Sequence, residues 1–236
     1  MTPLYEVIIN KNTTTKPVWI MRQAGRYLPE FREIRKDNPN FIELCLNHKL
    51  SSEITLQPIK RFNLDAAIIF SDILMLPYGL RQKVEFKKNF GPLLGNLDIK
   101  LMSKVDEIDF TEKVYPVYKA IKSVSSEMNL KNKNTIGFVG APWTLLVYMI
   151  NQQSPKKEVK KSFFTDDYLI NRTLLIIEKF LKIHIKNQIE NGANVIQIFD
   201  SWAGLLEERD YPNFIYTPTL NLVNYVKSLN VPVICF

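Results

Sequence analysis

Continuous apolar runs of strand length alternate along the chain with longer stretches of helical periodicity. Four such runs are present, over 65–70, 135–139, 195–199 and 231–236. Helical patterns fill the intervals between them, over 112–128, 144–150, 167–189 and 212–229. A short run without polar positions is typical of a strand that is covered on both faces. Buried strands that alternate with helices predict an α/β fold with a parallel sheet and crossover helices.

The spacing of these runs favours a (β/α)8 barrel over an open doubly wound sheet. No Gly-x-Gly-x-x-Gly follows the first run and no Walker-type loop is present, which disfavours the nucleotide-binding folds. We expect one domain over 1–236. With 83–87 as a half-exposed strand, about five strand candidates are available, whereas a barrel needs eight. The last run would leave an uncovered sheet edge, so the expected barrel is incomplete at the C-terminus.

Prolines and small polar residues mark the expected helix starts in the N-terminal part. Pro29 suits the first turn of a helix that directs Phe31 inward. Pro39 predicts the start of a second short helix, and Ser51 or Ser52 is a candidate cap for a third.

The formal net charge of +7 and a pI near 9.2 favour anionic partners: nucleic acid, lipid or a polyacidic small molecule. The densest basic run, 156–161, is interrupted and is interpreted as a solvated helix face. No nucleic-acid motif is visible, and no apolar run reaches the roughly 18 residues that a membrane span needs. Cys45 and Cys235 lie in apolar runs and are expected to be buried, without a disulfide or a metal site, in a reducing cytoplasm.

Two arginines flank a small turn early in the chain. Arg22 and Arg26 enclose Gln23, Ala24 and Gly25. Guanidinium groups bind carboxylates or phosphates in a bidentate manner, and glycine allows the backbone to approach a ligand closely. A surface loop with ordinary ion pairs is the alternative that spacing alone leaves open.

Polar residues also follow two of the buried runs. Asp72 comes just after Phe70, and Ser201 follows Phe199 and Asp200. In α/β sheets and barrels the site forms at these strand ends. Turn capping by Asp72 and helix capping by Ser201 are the alternatives. Tyr148 lies about one turn into the helix after the third motif, Gly140-Ala141-Pro142, and could equally be a core residue.

These segments together resemble the uroporphyrinogen decarboxylase family. The residues 21–30, Met-Arg-Gln-Ala-Gly-Arg-Tyr-Leu-Pro-Glu, are similar to its N-terminal signature, and 137–148 to its second signature. The segments 70–74 and 199–204 follow in the same order and spacing. The resemblance implies a single (β/α)8 barrel, a homodimer, and removal of carbon dioxide from the four acetate arms of uroporphyrinogen III without cofactor or metal. Members of the family continue beyond the length of this chain and contain a late Gly-His-Gly segment that this sequence lacks.

The resemblance also assigns roles to individual residues. Arg22 and Arg26 would bind substrate carboxylates, with Arg35 a further arginine near the cleft. Asp72 would accept hydrogen bonds from the pyrrole N–H groups, and Tyr148 and Ser201 would contact the macrocycle or its carboxylates. Gln23, Ala24 and Gly25 would shape the loop. Apolar positions around the ring are matched by Phe31, Phe70, Phe138 and Phe199.

Three other functions stay open at this point. A related barrel could be a methyltransferase acting on corrinoid proteins or thiols, which would need a Cys/His zinc site. A barrel without catalysis could bind tetrapyrroles or other polyanions. A basic nucleic-acid binder is the third, and its affinity would fall steeply with salt.

Overall fold

The computed structural model describes residues 2–12, 14–87, 90–155 and 167–236. The basic run 156–161 lies outside these residues, so its interpretation as a solvated face stays a prediction. The helices are α1 (Pro3–Ile8), α2 (Pro29–Asp37), α3 (Phe41–Leu46), α4 (His48–Phe62), α5 (Met75–Gly79), α6 (Ile99–Met102), α7 (Glu107–Leu130), α8 (Pro142–Asn151), α9 (Asp167–Glu190) and α10 (Thr217–Ser228). The strands are β1 (Ala66–Ile68), β2 (Val84–Lys87), β3 (Gly91–Leu94), β4 (Asn134–Gly140), β5 (Val195–Phe199) and β6 (Val233–Cys235).

Four parallel strands form the central sheet in the order β1-β4-β5-β6. Ile68 pairs with Ile136 in the first ladder, and Ile136 pairs with Val195 in the second. The order is sequential because helices cross over between neighbouring strands, so the predicted α/β class with a parallel sheet is confirmed. Closure into eight strands stays a prediction.

The two faces of the sheet are covered by different partners. One face packs into the main core, where Ala67 and Ile198 lie among the side chains of α4, α7, α8 and α9. The opposite face includes Ile68 and Ile136 and is contacted by Leu4 of α1. Successive side chains along a strand point to opposite faces of the sheet. Two consecutive residues at the end of a strand therefore point to different faces.

The run 83–87 forms a strand outside the central sheet. Val84–Lys87 is strand β2 and pairs antiparallel with β3, so the prediction of a half-exposed strand holds but its place among the barrel strands is wrong. Its alternating burial fits a hairpin with one open face.

The final run is strand only over Val233–Cys235, and Cys235 is exposed, contrary to the prediction of a buried thiol. Among the described strands, β6 pairs with β5 alone and is the edge of the sheet.

Asparagine side chains, rather than the predicted residues, begin two of the early helices. Helix α4 begins at His48, where Asn47 accepts a hydrogen bond from the Leu50 amide; capping by Ser51 or Ser52 is therefore wrong. The Ser51 hydroxyl donates instead to the Phe70 carbonyl at 2.6 Å, tying α4 to the end of β1. Helix α3 begins at Phe41 behind an Asn40 cap, later than the start predicted at Pro39. Helix α2 begins at Pro29 with Phe31 buried, as predicted.

The core between α7 and α9 encloses an aromatic cluster around one histidine. His184 is 5% exposed, and its Nδ1 lies 2.8 Å from the Tyr118 hydroxyl. Phe110 packs edge-on to the imidazole. Burial lowers the pKa of His184 to about 4, so this side chain is a neutral, hydrogen-bonded core residue.

Across the described residues, no helix combines the length and the apolar character that crossing a bilayer requires.

Candidate active site

The carboxyl ends of the parallel strands bring three sequence motifs to one edge of the sheet. Asp72 follows β1, Ala141 follows β4, and Asp200 follows β5. The loops are joined by backbone hydrogen bonds, since the Ala141 amide donates to the Phe199 carbonyl at 2.7 Å. Parallel strands all point the same way, which is why motifs distant in sequence meet here.

The loop with the two arginines is anchored to the sheet by Gln23. This side chain is 1% exposed; its Nε2 donates to the Ala66 carbonyl at 3.0 Å and its Oε1 accepts from the Ile20 amide at 3.2 Å. The side chain of Gln23 therefore fixes the loop. Arg22 and Arg26 on either side of it are exposed.

The turn between the arginines leaves room near Gly25. Among the described residues, a methyl group at Gly25 would meet the Tyr27 ring at 3.8 Å, an ordinary contact distance, so packing does not require glycine here. Ala24 beside it packs against the cluster around Leu28 and Phe31. Glycine at this position leaves the backbone open to close approach, as expected from the sequence, and that role stays a prediction.

Asp72 is a partly buried carboxylate with two kinds of partner. Its Oδ1 accepts a hydrogen bond from the Leu74 amide at 2.8 Å, so Asp72 does cap the turn. This hydrogen bond does not exclude a second role in binding a ligand. Burial raises the pKa of Asp72 to about 6, against the lowering effects of the Leu74 hydrogen bond and of the charge on Arg22. The carboxyl group is thus mostly ionised at neutral pH. Because burial disfavours this charge, a ligand that brings a positive charge or N–H donors beside it would be favoured.

The arginines and Asp72 belong to one electrostatic neighbourhood. Burial lowers the pKa of Arg35, and the charge on Arg26 lowers it further. Both Asp72 and Arg35 act on the buried thiol of Cys45, whose pKa is raised chiefly by burial. These pairwise charge effects link Arg22 to Asp72 and Arg26 to Arg35, and both Asp72 and Arg35 to the buried Cys45.

The four phenylalanines expected around a ring separate into two pairs. Phe31 and Phe70 stack edge to face at 5.7 Å, and Phe41 continues that wall at 5.7 Å from Phe70. Phe138 and Phe199 form a second pair, at 5.4 Å, on the face of the sheet shared with α1. Phe41 is a member of this wall that no sequence motif marks as a site residue, and the guanidinium carbon of Arg35 lies 5.7 Å from its ring centroid.

Tyr148 and Ser201 approach the same edge from α8 and from the loop after β5. Tyr148 is half-buried and its ring contacts Trp202 at 6.0 Å, while Ser201 is exposed. Trp202, not Ser201, precedes the 3-10 turn Ala203–Leu205, and no side chain caps it, so helix capping by Ser201 is wrong.

A hydrogen-bond network that the sequence did not reveal joins these two segments. The Thr144 hydroxyl donates to Asp200 Oδ1 at 2.7 Å and accepts from the Trp202 amide at 3.2 Å. Trp143 Nε1 donates to the Trp202 carbonyl at 2.9 Å. Asp200 Oδ2 is buried without a hydrogen-bond partner among the described residues, and burial raises the pKa of this carboxyl. In the sequence, Thr144 is recognisable only as a threonine in the first turn of α8. Its position beside Asp200 follows from the fold and could not be predicted from the sequence.

Within the described parts of the chain, no three His, Cys, Asp or Glu side chains come close enough together to hold a metal ion. The candidate site contains guanidinium groups, the strand-end carboxylates of Asp72 and Asp200, and aromatic rings. Such a set can bind an electron-rich polyanion that also carries N–H donors.

Comparisons with known proteins agree with this chemistry. The family model described as uroporphyrinogen decarboxylase (URO-D) matches residues 1–236. A uroporphyrinogen decarboxylase of Rickettsia bellii is 43% identical over 225 residues, covering 93% of this chain and 66% of that protein. One of Campylobacter jejuni (strain NCTC 11168) is 40% identical over 237 residues, covering 98% and 69%. The chain thus spans about two thirds of the length of these relatives.

A solved structure shares the fold at low sequence identity. A methyltransferase from Methanosarcina mazei superposes with a TM-score of 0.74 and 18% identity, over 99% of this chain and 68% of that one. At this identity the similarity bears on the fold alone.

Proposed function

The chain belongs to the uroporphyrinogen decarboxylase family, and we propose that it takes part in the decarboxylation of uroporphyrinogen III to coproporphyrinogen III in tetrapyrrole biosynthesis. The observation that supports this most directly is that Asp72, which follows β1 at the carboxyl edge of the sheet, lies within electrostatic reach of Arg22. We further propose that residues 1–236 belong to one (β/α)8 barrel, and that the protein is a cytoplasmic homodimer.

The substrate presents two kinds of group that match the site. Its eight carboxylates suit Arg22, Arg26 and Arg35, because a guanidinium fork pairs with a carboxylate in two parallel hydrogen bonds. Its four pyrrole N–H groups suit an anionic acceptor, the role proposed for Asp72. Tyr148 and Ser201 contact the macrocycle or its carboxylates, and Phe31, Phe70, Phe138 and Phe199 surround it with apolar surface.

The reaction needs no cofactor because the substrate is its own electron sink. Protonation of a pyrrole carbon beside an acetate arm makes the ring cationic. The bond to the carboxylate then breaks, its electron pair flows into the ring, and carbon dioxide leaves. The exocyclic carbon then takes up a proton while the ring carbon releases the proton that it gained first, which restores the pyrrole and leaves a methyl group in place of the acetate.

The protein contributes fixed charges and orientation to these steps. Asp72, ionised at neutral pH, stabilises the developing pyrrolic cation through a preorganised interaction. Arg22, or a water that it holds, supplies the proton; a guanidinium holds its own proton tightly at neutral pH, so the two donors are kept as alternatives. Gln23, Ala24 and Gly25 hold the loop in the conformation that directs Arg22 and Arg26.

The deciding experiment is incubation of the chain with uroporphyrinogen III under reducing conditions, beside the C. jejuni relative. Chromatography with mass detection follows the products with seven, six, five and four carboxylates. Stepwise loss of carbon dioxide supports the proposal. Binding of the tetrapyrrole without loss of carbon dioxide would instead favour a non-catalytic polyanion-binding barrel, and stoichiometric zinc would indicate methyltransferase chemistry.

A further inference from the structure

Phe41, the first residue of α3, belongs to none of the sequence motifs that predicted the site. Its ring packs between two others. The centroid of the Phe70 ring, at the end of β1, is 5.7 Å away in an edge-on arrangement, and that of Phe86, on strand β2, is 4.6 Å away. A ring in contact with two other rings has few orientations open to it. Phe41 is only half-buried, so part of its surface is left for a further partner.

The guanidinium group of Arg35 lies over this ring. Its central carbon is 5.7 Å from the Phe41 centroid, within the range of a cation–π contact. A second restraint comes from Asn38, which follows α2: the Arg35 Nη1 donates to its carbonyl at 2.5 Å. The ring and the carbonyl together hold Arg35 across the turn between α2 and α3. They limit the directions in which its other N–H groups can point, because the guanidinium is planar and its donors are fixed in that plane.

The charge of Arg35 is not compensated by an acidic side chain of the described residues. None of the ion pairs formed there includes Arg35. Burial lowers the pKa of Arg35, and the positive charge of Arg26 lowers it further. A carboxylate that reaches this half-buried guanidinium therefore relieves an unfavourable charge in addition to forming hydrogen bonds.

We propose that Phe41 is a positioning residue for the decarboxylation: its ring holds the Arg35 guanidinium in the direction from which it pairs with a carboxylate of the tetrapyrrole. This inference rests on the proposed function and adds a residue to it. It also connects the hairpin of β2 and β3, which lies outside the central sheet, to the site, since Phe86 of this hairpin supports Phe41. An arginine that is held before binding loses less side-chain freedom when the substrate arrives.

Phe41→Leu in the whole chain tests the proposal. Leucine keeps an apolar side chain but offers no π face. We expect KM for uroporphyrinogen III, and Kd for its oxidised form uroporphyrin III, to rise about three- to tenfold. Because the lost interaction is one of binding, kcat should stay within about twofold of the wild type. Phe41→Tyr keeps the face of the ring and should restore the wild-type KM and Kd.

Tyr115→Leu is the matched control. Tyr115 is an exposed ring on α7 whose centroid lies 5.1 Å from the Nζ of Lys119, so this variant also removes an aromatic face from beneath a cation. KM, Kd and kcat should all equal those of the wild type.

A double-mutant cycle separates positioning from packing. In an Arg35→Gln background, Phe41→Leu should have no further effect on KM or Kd, because the ring then has no guanidinium to direct. An equal effect in both backgrounds would show that Phe41 acts by packing or by touching the substrate, and would overturn the proposal. Wild-type KM and Kd in Phe41→Leu would also overturn it, while the proposed decarboxylation would stand.

A measurement on the wild type covers a failure of Phe41→Leu to fold. The Nε–Hε resonance of Arg35 in nuclear magnetic resonance spectra is assigned by its loss in Arg35→Lys. We expect it upfield of the resonance of the exposed Arg172, because the guanidinium lies over a ring, and we expect it to move when uroporphyrin III is added. A resonance with no upfield shift, or one that bound porphyrin leaves in place, would contradict the proposal. A chain that neither binds uroporphyrin III nor releases carbon dioxide would overturn both this inference and the proposed function.

Discussion

At the scale of single residues, Asp72 occupies an environment that opposes its charge. Burial raises its pKa to about 6, although the Leu74 amide and Arg22 both favour the ionised form. A carboxylate that is desolvated before the substrate arrives interacts strongly with a cation that forms beside it. Asp72 thus has two roles: its charge acts on the substrate, and its oxygen accepts the Leu74 N–H in the turn. A substitution that removes the charge but keeps the oxygen distinguishes them.

Asp72→Asn tests that separation. The amide keeps an oxygen for the Leu74 N–H but loses the charge, so we expect turnover of uroporphyrinogen III to fall by about 10²–10³-fold with the fold unchanged. In the wild type, kcat/KM should rise with pH through about 6 as Asp72 ionises. Asp98→Asn is the control, since Asp98 also caps a turn, through the Leu101 amide, away from the site. Near-normal turnover in Asp72→Asn would refute the electrostatic role.

Arg22→Lys tests whether bidentate geometry matters beyond charge. Lysine keeps the positive charge but loses the fork, and we expect kcat/KM to fall at least about tenfold. A rise in KM alone indicates anchoring of a carboxylate, whereas a fall in kcat indicates that the guanidinium or its water delivers the proton. Arg172→Lys, an exposed position on α9, should leave both constants unchanged. Wild-type kinetics in Arg22→Lys would exclude bidentate anchoring.

At the scale of elements, the contact between α8 and the loop after β5 rests on Thr144. Replacement by valine fills the same space but removes the donor to Asp200 and the acceptor for the Trp202 amide. Asp200 would then keep only the hydrogen bond from the Thr144 backbone among the described residues, while its Oδ2 has no partner there. We expect the free energy of unfolding in urea to fall by about 2–4 kcal/mol.

Thr144→Ser is the matched variant for that measurement. Serine keeps both hydrogen bonds and loses one buried methyl group, which costs about 1 kcal/mol. The ring of Tyr148 packs on Trp202, so Thr144→Val should also lower kcat, while serine restores it. Equal stability of the two variants would show that the network contributes nothing beyond packing.

The elements also show how far the sequence could predict the fold. Strand β5 spans Val195–Phe199 as predicted, because a parallel strand buried on both faces leaves an uninterrupted apolar run. The start of α4 could not be predicted, because Asn47 and Ser51 are both good caps. The choice was made by tertiary structure: Ser51 donates to Phe70 at the end of β1. Sequence likewise identified Asp200 but not its partner, since Thr144 meets it only through the packing of α8.

At the scale of the whole molecule, two buried groups respond to pH in opposite directions. His184 has a pKa lowered to about 4, so the unfolded chain takes up its proton first as pH falls below 6.5. Stability from this group is present above pH 6.5 and is lost as pH falls toward 4. Asp72 has a pKa raised from 3.8 to about 6, so its folded form holds a proton that the unfolded form has released. Its contribution is present below pH 3.8 and is lost as pH rises toward 6.

Between pH 4 and 6 these two dependences oppose each other, each at about 1.4 kcal/mol per pH unit before screening by solvent. Asp72→Asn removes one of them and leaves the other. We expect the variant to match the wild type in urea unfolding near pH 4, and to exceed it by at most about 3 kcal/mol at pH 7. Its own stability should fall steeply from pH 6.5 to 4, because His184 is no longer offset. Parallel curves for variant and wild type would mean that Asp72 titrates alike in both states, and that its burial does not prepare the site for a cation.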